Sequence, residues 1–301
     1  MTENIWAALS NQLAEASASV GQSVVAVHGG RHVSSGIIFT KDSVIATNHA
    51  LRRDEDITVV IAPGTSVPAR VAGRDPGTDL ALLRLQQPAT VAPPRWGDAS
   101  KLRVGELVLA LARTRRGNIV ASSGILSGLI NGGWRTWRGG EIDQFIRPDL
   151  VLYRGFSGGP LVSAQGEVLG LNTAGLHSSG ITVPASTVNR VAAELLEKGR
   201  IERPYLGLGM QAVALQESLR GKLNLKNSAG LLVVHVEPDG PADRAGMLLG
   251  DVLIELEGKP VTDTSEVQNV LRSAKAGSVV QAGLIRAGAL VTVRITLAAR
   301  P

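Results

Sequence analysis

The feature that most constrains this chain is a succession of short, β-branched runs split by turn residues. They fall at 23–27, 36–40, 43–47, 57–61, 80–85, 107–111, 124–129, 166–173 and 180–183. Short strands at nearly even spacing predict a pair of β-barrels or a sandwich. The 35 glycines fit a turn-rich, mainly β architecture. Aromatic residues make up only 3% of the chain, so Val, Leu, Ile and Ala must fill its core. A length of 301 residues predicts two domains rather than one.

Two helical patterns bracket the β-rich region. Ile5, Leu9, Leu13 and Ala16 share one face of a lead-in helix. Val188, Val191, Ala192, Leu195 and Leu196 form the apolar stripe of a second helix, with Ser186 as N-cap and Gly199 just past its end. Residues 199–204 are polar and end in Pro204, which predicts a first domain over 1–200, with a helical lead-in at 1–20, and a second over 201–301. In the second domain, helices are predicted at 241–246 and 264–276. Strands are predicted at 230–236, 251–257, 279–285 and 291–297.

Composition excludes some chemistries. Without cysteine there is no disulfide, thiolate metal site or Cys nucleophile. The net charge of +5 is dispersed, and the densest cluster, Arg113-Thr114-Arg115-Arg116-Gly117, reads as a solvated hairpin tip rather than a nucleic-acid site. No apolar run approaches the ~20 residues of a membrane span. The start, Met1-Thr2-Glu3-Asn4-Ile5-Trp6, lacks the pattern of a signal peptide. The expectation is therefore a cytoplasmic product, or a periplasmic or secreted one if the chain is a trimmed form.

Three motifs carry chemistry: Ala46-Thr47-Asn48-His49, Thr78-Asp79-Leu80-Ala81-Leu82 and Gly155-Phe156-Ser157-Gly158-Gly159-Pro160-Leu161. An imidazole, a carboxylate and a glycine-flanked hydroxyl are the parts that activate an alcohol as a nucleophile. Glycines at 155, 158 and 159 allow a tight loop whose N–H groups converge on an oxyanion. Gly155 to Gly159 also fits the G-x-S-x-G elbow of α/β-hydrolases. That elbow needs a helix directly after the serine and a late histidine, and Gly158-Gly159-Pro160 is a poor helix start. The chain order His, Asp, Ser matches the chymotrypsin arrangement instead.

With these motifs the sequence resembles the HtrA (Deg) serine proteases, a trypsin-like double β-barrel followed by a small α+β PDZ domain. The similarity extends to Asp75-Pro76-Gly77, Ser123-Gly124-Ile125-Leu126-Ser127 and Gly170-Leu171-Asn172-Thr173-Ala174. It implies His49 as general base, Asp79 as its orienter and Ser157 as nucleophile, with the N–H groups of Gly155 and Ser157 as oxyanion hole. It also implies that 173–175 bind substrate as an added strand and that Leu152, Gly175 and Thr182 border the P1 pocket, with Thr173 near the catalytic aspartate. The implied activity is cofactor-free and metal-free cleavage of unfolded or damaged polypeptides by a homotrimer.

Two departures from the family pattern bear on that reading. Relatives usually carry Asn-Pro-Gly-Asn before the serine, where this chain has Tyr153-Arg154-Gly155-Phe156. The bulk of Phe156 suggests a loop at rest in an inactive form, and with it a latent peptide-binding protein as the alternative. The segment 177–180 is shorter than its family counterpart and leaves the P1 preference open, with small or medium aliphatic residues expected. The resemblance places a regulatory loop at Trp134-Arg135-Thr136-Trp137-Arg138, where nucleic-acid stacking is the rival reading.

The PDZ resemblance rests on Tyr205-Leu206-Gly207-Leu208-Gly209 and on Gly240-Pro241-Ala242, Ala245-Gly246 and Gly250-Asp251-Val252-Leu253. It implies that the first motif cradles a peptide carboxylate, that the ligand adds a strand beside 264–276, and that Val267 and Leu271 face its side chains.

Overall fold

The computed structural model describes residues 4–136, 139–177 and 180–299. Its internal contacts divide the chain into Met1–Ile201 and Glu202–Pro301.

The first unit opens with α1 (Ile5–Gly21), capped by the Asn4 side chain, which accepts from Trp6 N at 3.1 Å. Six strands follow: β1 (Val24–His28), β2 (Ser34–Thr40), β3 (Ser43–Thr47), β4 (Ile57–Ala62), β5 (Thr65–Asp75) and β6 (Leu80–Leu85). They close a barrel in the order β1-β2-β3-β6-β5-β4. A second barrel has the order β10-β11-β12-β9-β8-β7. Its strands are β7 (Leu107–Arg113), β8 (Ile119–Arg135), β9 (Glu141–Asp149), β10 (Pro160–Ser163), β11 (Val168–Thr173) and β12 (Ile181–Pro184). This is the expected mainly β double barrel.

Each barrel has its own aliphatic filling, such as Val25, Ile38, Val59 and Leu83 in the first and Leu126, Ile146 and Leu161 in the second. A larger cluster joins them. It combines Ile37, Ile45 and Leu82 of one barrel with Leu111, Val162 and Leu171 of the other, closed by Val20 of α1 and by α2 (Ala185–Lys198). This apolar seam fixes the two barrels as one body, so residues at their facing rims hold constant positions. Helix α2 ends where expected, at Gly199 with φ +71°, but its N-cap is Pro184, not Ser186. Proline suits a helix entrance because its φ is already restricted.

The second unit contains β13 (Pro204–Tyr205), β14 (Leu208–Ala214), α3 (Glu217–Leu223), β15 (Ala229–Val236), α4 (Pro241–Arg244), β16 (Val252–Leu256), β17 (Lys259–Pro260), α5 (Thr264–Ser273), β18 (Val279–Arg286), β19 (Ala289–Thr296) and β20 (Ala298–Ala299). Its main sheet runs β14-β15-β16-β18-β19, so β14 is an edge strand. Helix α5 begins with a capping box in which Asp263 accepts from Ser265 N and Glu266 N, and it packs against β14.

The basic hairpin tip corrects one expectation. Arg115 and Arg116 are exposed, whereas Arg113 is 6% exposed. Its guanidinium donates to the carbonyls of Gly21 (2.7 Å), Val24 and Gly117, tying α1, β1 and the hairpin together. Burial lowers its pKa, and three carbonyl acceptors satisfy the charge.

Candidate active site

The site grows from strand ends at the seam between the barrels. Strands β3 and β6 pair so that Thr47 lies opposite Leu80. The next residue outward on one side begins the turn Asn48–Ala50, and on the other side it is Asp79. Asn48 N donates to Asp79 O at 2.9 Å, and His49 N donates to Asp79 Oδ1 at 2.8 Å. His49 Nδ1 lies 2.6 Å from Asp79 Oδ2. Asp79 adopts φ +59°, a left-handed conformation that aspartate tolerates better than most residues. The turn before it is held by Asp75, whose carboxylate accepts from Gly77 N at 3.0 Å and Thr78 Oγ1 at 2.7 Å.

Asp79 is 1% exposed, a costly place for a carboxylate unless hydrogen-bonded. Thr173 Oγ1, at the end of β11, donates to Oδ2 at 2.5 Å, so three donors from two barrels surround the group. A proton on His49 Nδ1 facing this carboxylate leaves Nε2 as the acceptor nitrogen. The His49 side chain is 34% exposed, so the imidazole reaches solvent on the side away from Asp79.

Ser157 stands three residues before β10, on the second barrel, and is half-buried. Its carbonyl accepts from Ser35 N at 2.9 Å, and its Oγ accepts from Ala174 N at 3.3 Å. Gly158 N donates to Asn172 O at 2.8 Å. A Cβ on Gly158 would stand 1.9 Å from Ser35 O, so only glycine permits this approach. Ahead of the serine, Phe156 N donates to Tyr153 O at 3.0 Å, and Gly155 has φ +100°, as the third residue of a type II turn requires. Among the described residues the N–H groups of Gly155 and Ser157 have no acceptor.

Phe156 does not behave as its bulk suggests. It is 3% exposed and packs against Ala110, Ala112, Leu150 and Leu152, with Tyr153 5.9 Å away. Two alanines on β7 make room for the ring, so the side chain points into the second barrel.

The other candidates fall as follows. Gly175 lies against the His49–Asp79 pair, where an added Cβ would meet Asp79 Oδ2 at 2.5 Å and His49 Nδ1 at 2.6 Å. Its N–H donates to Thr173 Oγ1 at 2.9 Å, which aligns that hydroxyl toward Asp79. Thr182 is fully buried and donates to Asn172 Oδ1 at 2.7 Å. Leu152 is half-buried between Phe156 and Gly180. In the aromatic-basic segment, Trp134 contacts Phe145 edge-on, and buried Thr136 donates to Gly77 O at 2.6 Å, on the turn that carries Asp79. Trp137 and Arg138 lie outside the described residues, as do Ser178 and Ser179 of the 177–180 segment.

Two contributors went unread in the sequence. Ser35 Oγ donates to Gly155 O at 2.8 Å and accepts from Arg113 N at 3.1 Å. Arg74 donates to Asn48 Oδ1 at 2.9 Å and pairs with Asp54 at 2.8 Å, bracing the histidine turn. Both sit in ordinary strand sequence, and no local pattern distinguishes them from neighbouring polar residues.

In the second unit, Gly207 has φ +75° and its carbonyl accepts from Glu237 N at 2.8 Å, while Leu206 O accepts from Ala242 N at 2.9 Å. Leu206 and Val267 are buried and Leu271 nearly so, whereas Tyr205 and Leu208 are partly exposed. The free edge of β14 begins at Leu208.

Comparison with known proteins matches each of the two units to a family. Residues 34–171 match the family described as "Trypsin-like peptidase domain", and 204–297 match "PDZ domain". The chain is 32% identical over 276 residues to a probable periplasmic serine endoprotease, DegP-like, from Brucella suis, covering 89% of this chain and 52% of the relative. It is 32% identical over 281 residues to the serine protease Do-like HtrA of Bacillus subtilis, covering 87% and 63%. The chain has the domain pair of an HtrA-type serine protease, a trypsin-like peptidase domain followed by a PDZ domain. A solved serine endoprotease from Yersinia pestis superimposes with TM-score 0.75 at 26% identity, covering 97% of this HtrA-type chain and 98% of the other. HtrA-type protease AlgW with tripeptide gives TM-score 0.71 at 26% identity, over 96% and 97%. The chain spans between half and two thirds of the length of the curated relatives.

One expectation is overturned by these relatives. The Brucella protein and the DegP of Salmonella typhimurium, 30% identical over 273 residues, are named periplasmic. The cytoplasmic reading rested on the first few residues, and the chain's own start says nothing about its compartment.

Proposed function

We propose that this HtrA-type chain is a periplasmic serine endopeptidase. In this reading Ser157 Oγ attacks a peptide carbonyl while His49 Nε2 takes its proton, and His49 returns that proton to the leaving amine. Water, activated by the same imidazole, then releases the acyl group. Asp79 holds the ring with its Nδ1 proton inward and stabilises the imidazolium that forms. The N–H groups of Gly155 and Ser157 receive the oxyanion. Support comes chiefly from one observation: the 2.6 Å contact of His49 Nδ1 with a buried, triply hydrogen-bonded Asp79. Hydrogen bonds to the nucleophile commonly tighten only when substrate binds, consistent with Ser157 Oγ meeting Ala174 N here.

The substrates proposed are unfolded or damaged polypeptides, paired in extended form with the backbone of 173–175. Peptide binding by the PDZ domain is supported by the family match and by the peptide-bound relative. We assign the open edge of β14, with the Tyr205–Leu208 turn, to a hydrophobic peptide C-terminus. Assembly as a trimer is proposed through the exposed Ile5 and Trp6 of α1.

Incubation with β-casein and a fluorophosphonate probe tests the hydrolase. Cleavage and labelling that both vanish in Ser157→Ala are expected, and absence of both in the parent chain would refute it. For the PDZ domain, the Ser157→Ala chain is titrated with a free and an amidated hydrophobic peptide. Equal binding of the two would remove the carboxylate role.

A further inference from the structure

Beside the nucleophile turn lies a cleft of about 560 Å³ whose lining is entirely cationic, polar or apolar. It is bounded by the turn joining β1 to β2, the loop before β4 with the start of that strand, the β7–β8 hairpin tip and the residue ahead of Gly155. Its charged lining is Arg31, Arg53, Arg115 and Arg154, the imidazoles of His28 and His32 also face it, and no carboxylate lines it. None of the four arginines has a carboxylate partner among the described residues, and all four are exposed. Other arginines on this face are paired: Arg74 takes Asp54, for example. Burial, then the charge of Arg115, lowers the pKa of His28, so this imidazole is uncharged at neutral pH.

Four unpaired guanidiniums facing one cleft repel each other, and an occupant with carboxylates relieves that cost. The cleft also touches the reacting centre. Val33 O would lie 3.5 Å from a Cβ on Gly155, Ser35 N holds Ser157 O, and Arg154 directly precedes the glycine. The turn at 29–33 reaches the histidine segment as well, with Arg52 N donating to Gly29 O at 2.9 Å. A chain whose residues before the cleaved bond pair with 173–175 must run onward over the nucleophile turn, toward this cleft.

We propose that the cleft binds acidic side chains of the substrate on the C-terminal side of the cleaved bond and thereby selects where the chain is cut. The proposal rests on Ser157 acting as the nucleophile. Arg115, Arg53 and Arg31 would serve as specificity determinants, taking carboxylates singly or in bidentate pairs.

The test uses twin peptides that differ only in Asp, Ala or Lys at the second and third residues after the bond cut, with the cut located by mass spectrometry. The expected kcat/KM of the Asp twin exceeds that of the Lys twin by roughly tenfold at low salt and converges on it in high salt. In an Arg53→Glu/Arg115→Glu chain, the order reverses while the Ala twin is cut at the parent rate, which also shows that the variant is folded. Equal cleavage of all three twins by the parent chain overturns the cleft but leaves the hydrolase intact. If neither cleavage nor fluorophosphonate labelling occurs, the hydrolase reading fails, and binding to the Ser157→Ala chain decides the cleft. There, an anisotropy preference for the Asp twin that the double charge reversal abolishes sustains the acidic-ligand site, and equal binding of the twins refutes it.

Discussion

Ser35 Oγ donates a 2.8 Å hydrogen bond to the carbonyl of Gly155, linking the first barrel to the turn that precedes the nucleophile. The bond fixes the plane of the Gly155–Phe156 peptide, and thereby the setting of the turn on which the proposed oxyanion donors depend. Ser35→Ala leaves that carbonyl unpaired and frees the turn. We expect kcat to fall by about tenfold with KM nearly unchanged, because a preorganised donor acts mainly in the transition state. Steady-state kinetics on one peptide checks this, and a change confined to KM would contradict it.

Gly175→Ala should be more damaging than its size suggests. The new methyl would stand 2.5 Å from Asp79 Oδ2 and 2.6 Å from His49 Nδ1, so one of them must move. A displacement near 1 Å at a reacting group costs about a hundredfold in rate. The expected result is loss of hydrolysis and slowed fluorophosphonate labelling, with an unaltered circular dichroism spectrum. Parent-like labelling would mean that the His49–Asp79 alignment is not needed to activate Ser157.

The same residues mark how far the sequence could be read. His49, Asp79 and Ser157 stand out because each occupies a short motif at the end of a strand-like run, and barrel closure does the rest. Strand β5 has a weak signature in the sequence because Pro68 and Gly73 interrupt it, although its partners β4 and β6 tolerate both. Strand β9 is masked in the sequence by Glu141, Asp143 and Arg147 on its outer face and by Gln144, which shares the buried face with Ile142 and Ile146. The packing of Phe156 is invisible locally because it depends on Ala110 and Ala112, more than forty positions earlier in the chain. Ser35, Arg74 and Arg113 act mainly through distant carbonyls or side chains, relationships that no local pattern records.

Arg113 offers a stability test independent of catalysis. Its guanidinium satisfies the carbonyls of Gly21, Val24 and Gly117 inside the protein. Arg113→Met keeps most of the volume but strands these acceptors, at a cost of about 2–4 kcal/mol. Thermal unfolding of the first unit should shift downward by several degrees. An unchanged midpoint would show that water replaces the guanidinium without loss.

In the PDZ domain, Asp251 and Arg286 make a two-pronged pair, with contacts of 2.8 Å to Oδ1 and 2.7 Å to Oδ2. Burial alone would raise the pKa of Asp251, but hydrogen bonds from Arg286 and Leu248 N, with the charge of Arg286, hold it below the ordinary aspartate range. A carboxyl whose folded pKa is depressed adds stability above its unfolded pKa, near 3.9, and loses it as pH falls through the lower folded value. Arg286→Met should therefore destabilise the PDZ domain at neutral pH, leaving Asp251 buried without its cation. The gap between variant and parent should narrow below about pH 4, as the unfolded carboxyl takes up its proton. Urea melts at pH 7 and pH 3, followed by resonances of the second unit, measure this. A gap that widens toward acid would reverse the assigned sign and remove Arg286 as the source of the depression.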